Sequence, residues 1–129
     1  MIGLFAALAL TTGQADPEIQ AQMSPQHLRC MAEAGRSSDR RLTCLMSETW
    51  RQDERLNAVY RRMRAQTTPV RWTSMRDTQR AWIRVRNDYC AMSRRAAGEG
   101  ISASLAFADC YLTETVERRV WLENPRNRP

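Results

Sequence analysis

Residues 69–98 read PVRWTSMRDTQRAWIRVRNDYCAMSRRAAG, and this stretch decides the fold. A proline opens it, a glycine closes it, and nothing between them breaks a helix. Trp72, Met75, Gln79, Trp82, Arg86 and Tyr89 recur at steps of three and four residues, so one face of a helix over about 70–97 is marked for burial. Working outward, Thr67-Thr68-Pro69 separates this helix from an earlier one, which starts at the caps Ser37, Ser38 and Asp39 and reaches about Gln66. The stripe of that earlier helix is Leu42, Met46, Thr49, Asp53, Leu56, Tyr60 and Met63. Ser24-Pro25 opens a short helix over about 25–34, and Gly35 stops it. On the far side, Gly98 and Gly100 mark a turn into a last helix from about Ser102 to Glu123, closed by Asn124-Pro125. Its stripe is Ile101, Leu105, Ala108, Leu112, Thr115, Arg119 and Leu122. No run alternates with period two for long enough to argue for a strand.

The stripes are interrupted by Asp53, Gln79 and Arg86. If the two helices flanking Pro69 fold back on each other, positions summing to about 137–139 meet, and Asp53 faces Arg86. A buried Arg–carboxylate fork is expected there, with a loss of about 3–5 kcal/mol if one partner is removed. An Asp beside a buried Gln also suits a general base. No nucleophile, histidine or second carboxylate in register accompanies it, so the chain is read as non-enzymatic. Trp50 is expected to pack on the short first helix.

With 129 residues, the chain has room for one domain. Its 20 basic residues are all arginine and its acidic residues number 14, a net charge of +6. The mean hydropathy is −0.60. A Schiff-base lysine is excluded, and with His27 the sole histidine so is a multi-histidine metal site. No cofactor is expected.

Residues 1–15 carry no charge, and Ile2–Leu10 form an apolar run too short to span a bilayer, which takes about 20 residues. Small residues at Gly13 and Ala15 suit cleavage of a signal peptide before Asp16, although no Lys or Arg precedes the run. No transmembrane segment is expected once that leader is removed. The four cysteines Cys30, Cys44, Cys90 and Cys110 fit two disulfides in an exported chain. Their spacings of 14, 46 and 20 are unlike the close pairs of zinc sites. Sequential pairing is favoured over the two crossed alternatives, because each bond then crosses a single helix–turn–helix. The expected fold is thus all-α: a small disulfide-stapled antiparallel bundle of one short and three long helices over 25–123. A flexible segment, 16–24, precedes it and a tail, 124–129, follows.

These residues carry a resemblance. Cys30…Cys44, then Asp53-Glu54-Arg55-Leu56-Asn57 with Tyr60, then Gln79, Trp82, Arg86 and Cys90, then Cys110 with Thr115 and Arg118, resemble the LprI-type lysozyme-inhibitor family. The match spans about residues 30–122, and its LN-x-x-Y and Q-x-x-W-x-x-x-R pieces are together specific. Asn87 departs from the family's usual Asp, and Gly98-Glu99-Gly100 replaces a Gly-Gly pair. The resemblance implies a small secreted or periplasmic helical domain with disulfides, in which Asp53, Asn57, Tyr60, Gln79, Trp82 and Arg86 form a structural polar core.

Two partners are in view. One is a lysozyme or other peptidoglycan hydrolase, whose catalytic carboxylate pair an arginine from a turn can plug. Arg36, Arg40 and Arg41 near the first turn, and Arg94 and Arg95 near the last, are the candidates. Animal-type lysozymes are themselves basic, so such a target calls for a local acidic face, for which Glu114, Glu117 and Glu123 are available. The other is an anionic envelope component, contacted by Arg61, Arg62, Arg64, Arg94 and Arg95. Nucleic acid is not expected: basic charge gives only nonspecific affinity and no binding motif is present.

Overall fold

A computed structural model describes residues 16–127. Among these, every regular element is helical. The elements are α1 (Pro17–Gln20), α2 (Pro25–Ala34), α3 (Ser38–Ala65), α4 (Pro69–Ala96) and α5 (Gly100–Glu123), followed by a 3-10 turn, Pro125–Asn127. The expected leader over 1–15 and the last two residues of the tail lie outside the described residues.

Local chemistry sets the boundaries. Ser24, Ser37 and Thr68 are extended N-cap residues whose hydroxyls accept from the backbone N–H three residues on, and Pro25 and Pro69 occupy the first position of their helices. Gly35, at φ +55°, ends α2 in a backbone region that costs any residue with a Cβ. At 28 residues each, α3 and α4 are rods of about 42 Å.

The expected all-helical architecture holds, as do both sequential disulfides. Cys30–Cys44 staples α2 to α3, and Cys90–Cys110 staples α4 to α5. Each closes a short loop, worth about 3 kcal/mol in the chain-entropy view.

The arrangement inside differs from a simple hairpin of α3 and α4. The most apolar helix, α5, packs along both α3 and α4, while those two share little direct backbone approach. α5 carries buried or half-buried apolar residues on more than one side, Ala103 and Phe107 as well as Ala108, Leu112 and Val116, and so must be covered from several directions. By contrast α4 buries only Met75, Arg86 and Cys90, enough for one interface.

Two apolar clusters result. Ile19, Met23, Leu45, Ala108, Leu112 and Val116 form one, and Leu56, Val59, Met63, Met75 and Leu122 form the other. Residues 16–24 are therefore not a loose lead-in. Asp16 caps α1, and Ile19 and Met23 fill the first cluster, because the upper end of α5 leaves an apolar side that no long helix covers.

The buried line on α3 is also displaced from the expected one. It runs through Leu45, Glu48, Gln52, Leu56, Val59 and Met63, whereas Met46 is 62% exposed. Trp50 is 66% exposed and does not pack down as expected, since α2 is held by Cys44 on the other side of α3.

Candidate functional site

Between the two apolar clusters, α3 and α5 face each other with polar residues. Glu48, Gln52, Thr115 and Arg119 are fully buried there. Arg119 donates from Nε to Gln52 Oε1 at 3.0 Å, and from its terminal nitrogens to Glu123 Oε2 at 2.9 Å and Gln22 Oε1 at 3.1 Å. Gln52 Nε2 donates to Glu48 Oε1 at 2.8 Å and to the Gln22 carbonyl at 3.1 Å. Glu48 is further held by the backbone N–H of Ser24 at 3.1 Å, by the Ser24 hydroxyl, and by Arg51 Nε at 3.0 Å.

Burial alone would raise the Glu48 carboxyl, but the donors from Ser24, Gln52 and Arg51 outweigh it and hold the group below its ordinary value. Desolvation pushes the Arg119 guanidinium down, against its bond to Glu123. The network is fully paired and ties the segment before α2 to the middle of α3 and the last turns of α5. It is a structural clamp, and its interior location leaves it no access to a partner.

Sequence reasoning missed Glu48, Gln52, Gln22 and Ser24 as members of this clamp. The displaced stripe is the cause: Leu42, Met46 and Tyr60 made the neighbouring line look more apolar. A usable signal was Cys44, whose disulfide to α2 fixes the side of α3 that faces inward.

Arg86 faces Asp53 as expected, but the pair is not a buried fork. Arg86 is buried, but its approach to Asp53 is 4.0 Å and the Asp53 side chain is 40% exposed. Tyr111 and Thr115 on α5 supply the guanidinium's closer partners. Arg86 donates to the Tyr111 hydroxyl and to Thr115 Oγ1 at 3.3 Å, and its Cζ lies 3.8 Å from the Tyr111 ring centroid and 4.7 Å from that of Trp82. Burial pushes the Asp53 carboxyl up, partly offset by Arg86.

Gln79 Oε1 accepts from both Tyr60 Oη at 2.8 Å and Arg118 Nε at 2.9 Å, so Tyr60 and Gln79 join α3, α4 and α5. Trp82 packs against the second apolar cluster beneath them. Asn57 is exposed and belongs to no buried polar core, because it lies on the flank of α3 that α5 does not reach.

The arginines named as partner contacts are all on the surface. Arg36, Arg40 and Arg41 ring the α2–α3 turn, where an Arg41 terminal nitrogen donates to the Gly35 carbonyl at 3.3 Å. Arg95 is free of partners among the described residues, while Arg94 stacks 4.5 Å from the Phe107 ring centroid. This places Arg94 at the mouth of an apolar groove of about 390 Å³ between α3 and α5, walled by Leu42, Met46, Phe107 and Tyr111.

Arg61, Arg62 and Arg64 crowd the other end, at the α3–α4 turn. Between residues 61 and 84 stand seven arginines and one aspartate, a balance of +6 equal to that of the whole chain. The remaining thirteen arginines are matched by thirteen carboxylates. Of the three acidic candidates, Glu123 is turned to Arg119. Burial raises the Glu114 carboxyl, with a smaller push from Glu117. Glu117 lines a shallow groove with Asp16 and Glu18.

Among the described residues no group of three or more His, Cys, Asp or Glu side chains is placed to hold a metal ion, and no helix is long and apolar enough to cross a membrane. A family model described as "Lysozyme inhibitor LprI" matches residues 15–122, most of the chain. No curated protein and no solved structure matches it.

Proposed function

The chain belongs to the LprI lysozyme-inhibitor family, and on that basis we propose that it is an extracytoplasmic protein inhibitor of a lysozyme-type peptidoglycan hydrolase, acting by surface contact and without chemistry of its own. The family match is the observation that carries this reading. Two disulfides with no free thiol among the described residues accord with an oxidising compartment.

The contact we assign is the apolar groove headed by Arg94. Phe107 holds the guanidinium at its mouth, so little side-chain freedom is lost when it enters a cleft bearing a carboxylate pair. Exposed Met46 and Trp50 flank the α3 side and supply apolar area around that cation. The overall basic charge does not obstruct a basic target here. Even Arg84, the nearest arginine of the basic stretch 61–84, stands 10 residues from Arg94 along the helix, about 15 Å, which is about two screening lengths at physiological salt.

The test is residual lysozyme activity titrated with the oxidised protein. Inhibition is expected, and Arg94→Ala is expected to weaken it at least tenfold, in line with the loss of a central arginine anchor. No effect of the unaltered protein at micromolar excess over several lysozyme types would refute the reading.

A second reading is favoured by one specific observation, the gathering of the chain's whole net charge between residues 61 and 84. That end is suited to an anionic component of the cell envelope, and its use would leave the Arg94 groove free.

A further inference from the structure

Resting on that second reading, we propose that the arginine-rich α3–α4 turn is a docking surface for an anionic phospholipid bilayer, which the domain meets end-on. Arg61, Arg62 and Arg64 in the last turn of α3, and Arg71 and Arg76 in the first turns of α4, are all exposed. Asp77, 3.5 Å from Arg76, is the one carboxylate between residues 61 and 77. Arg118 and Arg126 add to the same end, lining the groove beneath the turn beside Met63 and Met75. The nearest carboxylate on α5, Glu123, is bonded to Arg119, and Asp16, Glu18 and Glu117 lie round the α1 groove, off the turn.

One feature selects a bilayer over a soluble polyanion. Val70, beside Pro69 at the tip, is 82% exposed. An aliphatic side chain there reaches below the level of the phosphates, while the surrounding guanidinium groups stay among them.

The experiment uses the full oxidised chain and co-sedimentation with phosphatidylcholine vesicles, with and without phosphatidylglycerol. Binding to the anionic vesicles is expected, weakened by moderate salt. Arg61→Gln, Arg62→Gln, Arg71→Gln and Arg76→Gln together are expected to lower the anionic partition more than tenfold, since each arginine near an anionic leaflet strengthens binding about fivefold. Arg29→Gln, Arg36→Gln, Arg40→Gln and Arg95→Gln remove the same charge elsewhere and are expected to lower it far less.

Equal losses in the two variants would overturn the proposal, because net charge rather than its placement would then be acting. Equal partition onto pure phosphatidylcholine would overturn it in favour of apolar contact alone. Retention on immobilised polyphosphate without vesicle binding would overturn the bilayer and keep an anionic component. Retention on neither would overturn the second reading itself.

Discussion

Replacing Arg119 by methionine is the most direct probe of the interior. The guanidinium is fully buried and donates three hydrogen bonds. Methionine keeps most of the stem and its packing but makes none of them. Glu123 lies at the edge, with a side chain 39% exposed, and turns to water. Gln52 Oε1 is left a buried orphan at about 1–3 kcal/mol, and the half-buried Gln22 Oε1 loses its partner as well. Recovery of the arginine's own desolvation offsets part of this, so a net loss of about 3 kcal/mol is expected. Urea unfolding of the oxidised protein measures it. The midpoint is expected to fall at nearly constant slope, with Tm down by about 12 °C or more. The double variant Gln52→Leu/Arg119→Met removes acceptor and donor together, while Glu48 keeps Ser24 and Arg51. It is expected to be less destabilised than the two single losses added, with a coupling above about 1 kcal/mol. A loss below about 1 kcal/mol for Arg119→Met, or strict additivity in the cycle, would refute the clamp.

Asp53→Ala is expected to cost under about 1 kcal/mol, because its contact with Arg86 is long and half in water, whereas Arg86→Ala costs about 3 kcal/mol or more; chemical denaturation distinguishes this pattern from two equally large losses. Ser24→Ala removes a helix cap and a Glu48 donor together, and a loss of about 1–2 kcal/mol is expected in the same assay. Glu48 titrates lower in the folded protein than in the unfolded chain, so its stabilisation is complete above the ordinary carboxylate range and is lost as pH falls through the folded value. Melting followed between neutral pH and strong acid is expected to fall less steeply for Glu48→Gln than for the unaltered chain over that acid window. Reducing both disulfides is expected to cost about 6 kcal/mol in total by loop entropy, read as a fall in Tm between oxidised and reduced samples.

Much of the architecture was legible in the sequence because punctuation and period agreed. Ser24-Pro25, Thr68-Pro69 and Gly98 each sit at a real boundary, and the cysteine spacing led to the observed pairing. The inward face of α3 was less legible. Lines drawn through Met46 and through Leu45 differ by about 100° of rotation, and counting apolar residues rewards the first. Only tertiary partners decide between them, and Glu48 and Gln52 are buried on the second because Ser24, Gln22 and Arg119 arrive from other parts of the chain. Asp53 and Arg86 do face each other, but facing positions do not reveal that Tyr111 and Thr115 of α5 offer the guanidinium closer partners. The arginines singled out are all exposed, but Arg71 and Arg76 were not among them, and the gathering of charge becomes meaningful only when the turn is seen to project there.

The bond between Gln22 and Arg119 joins residues 97 apart, nearly the two ends of the folded body. Both cystines, by contrast, link helices that are neighbours in sequence. Each cystine can therefore form within a local hairpin, whereas the clamp closes only once the first and last helices of the folded body have met.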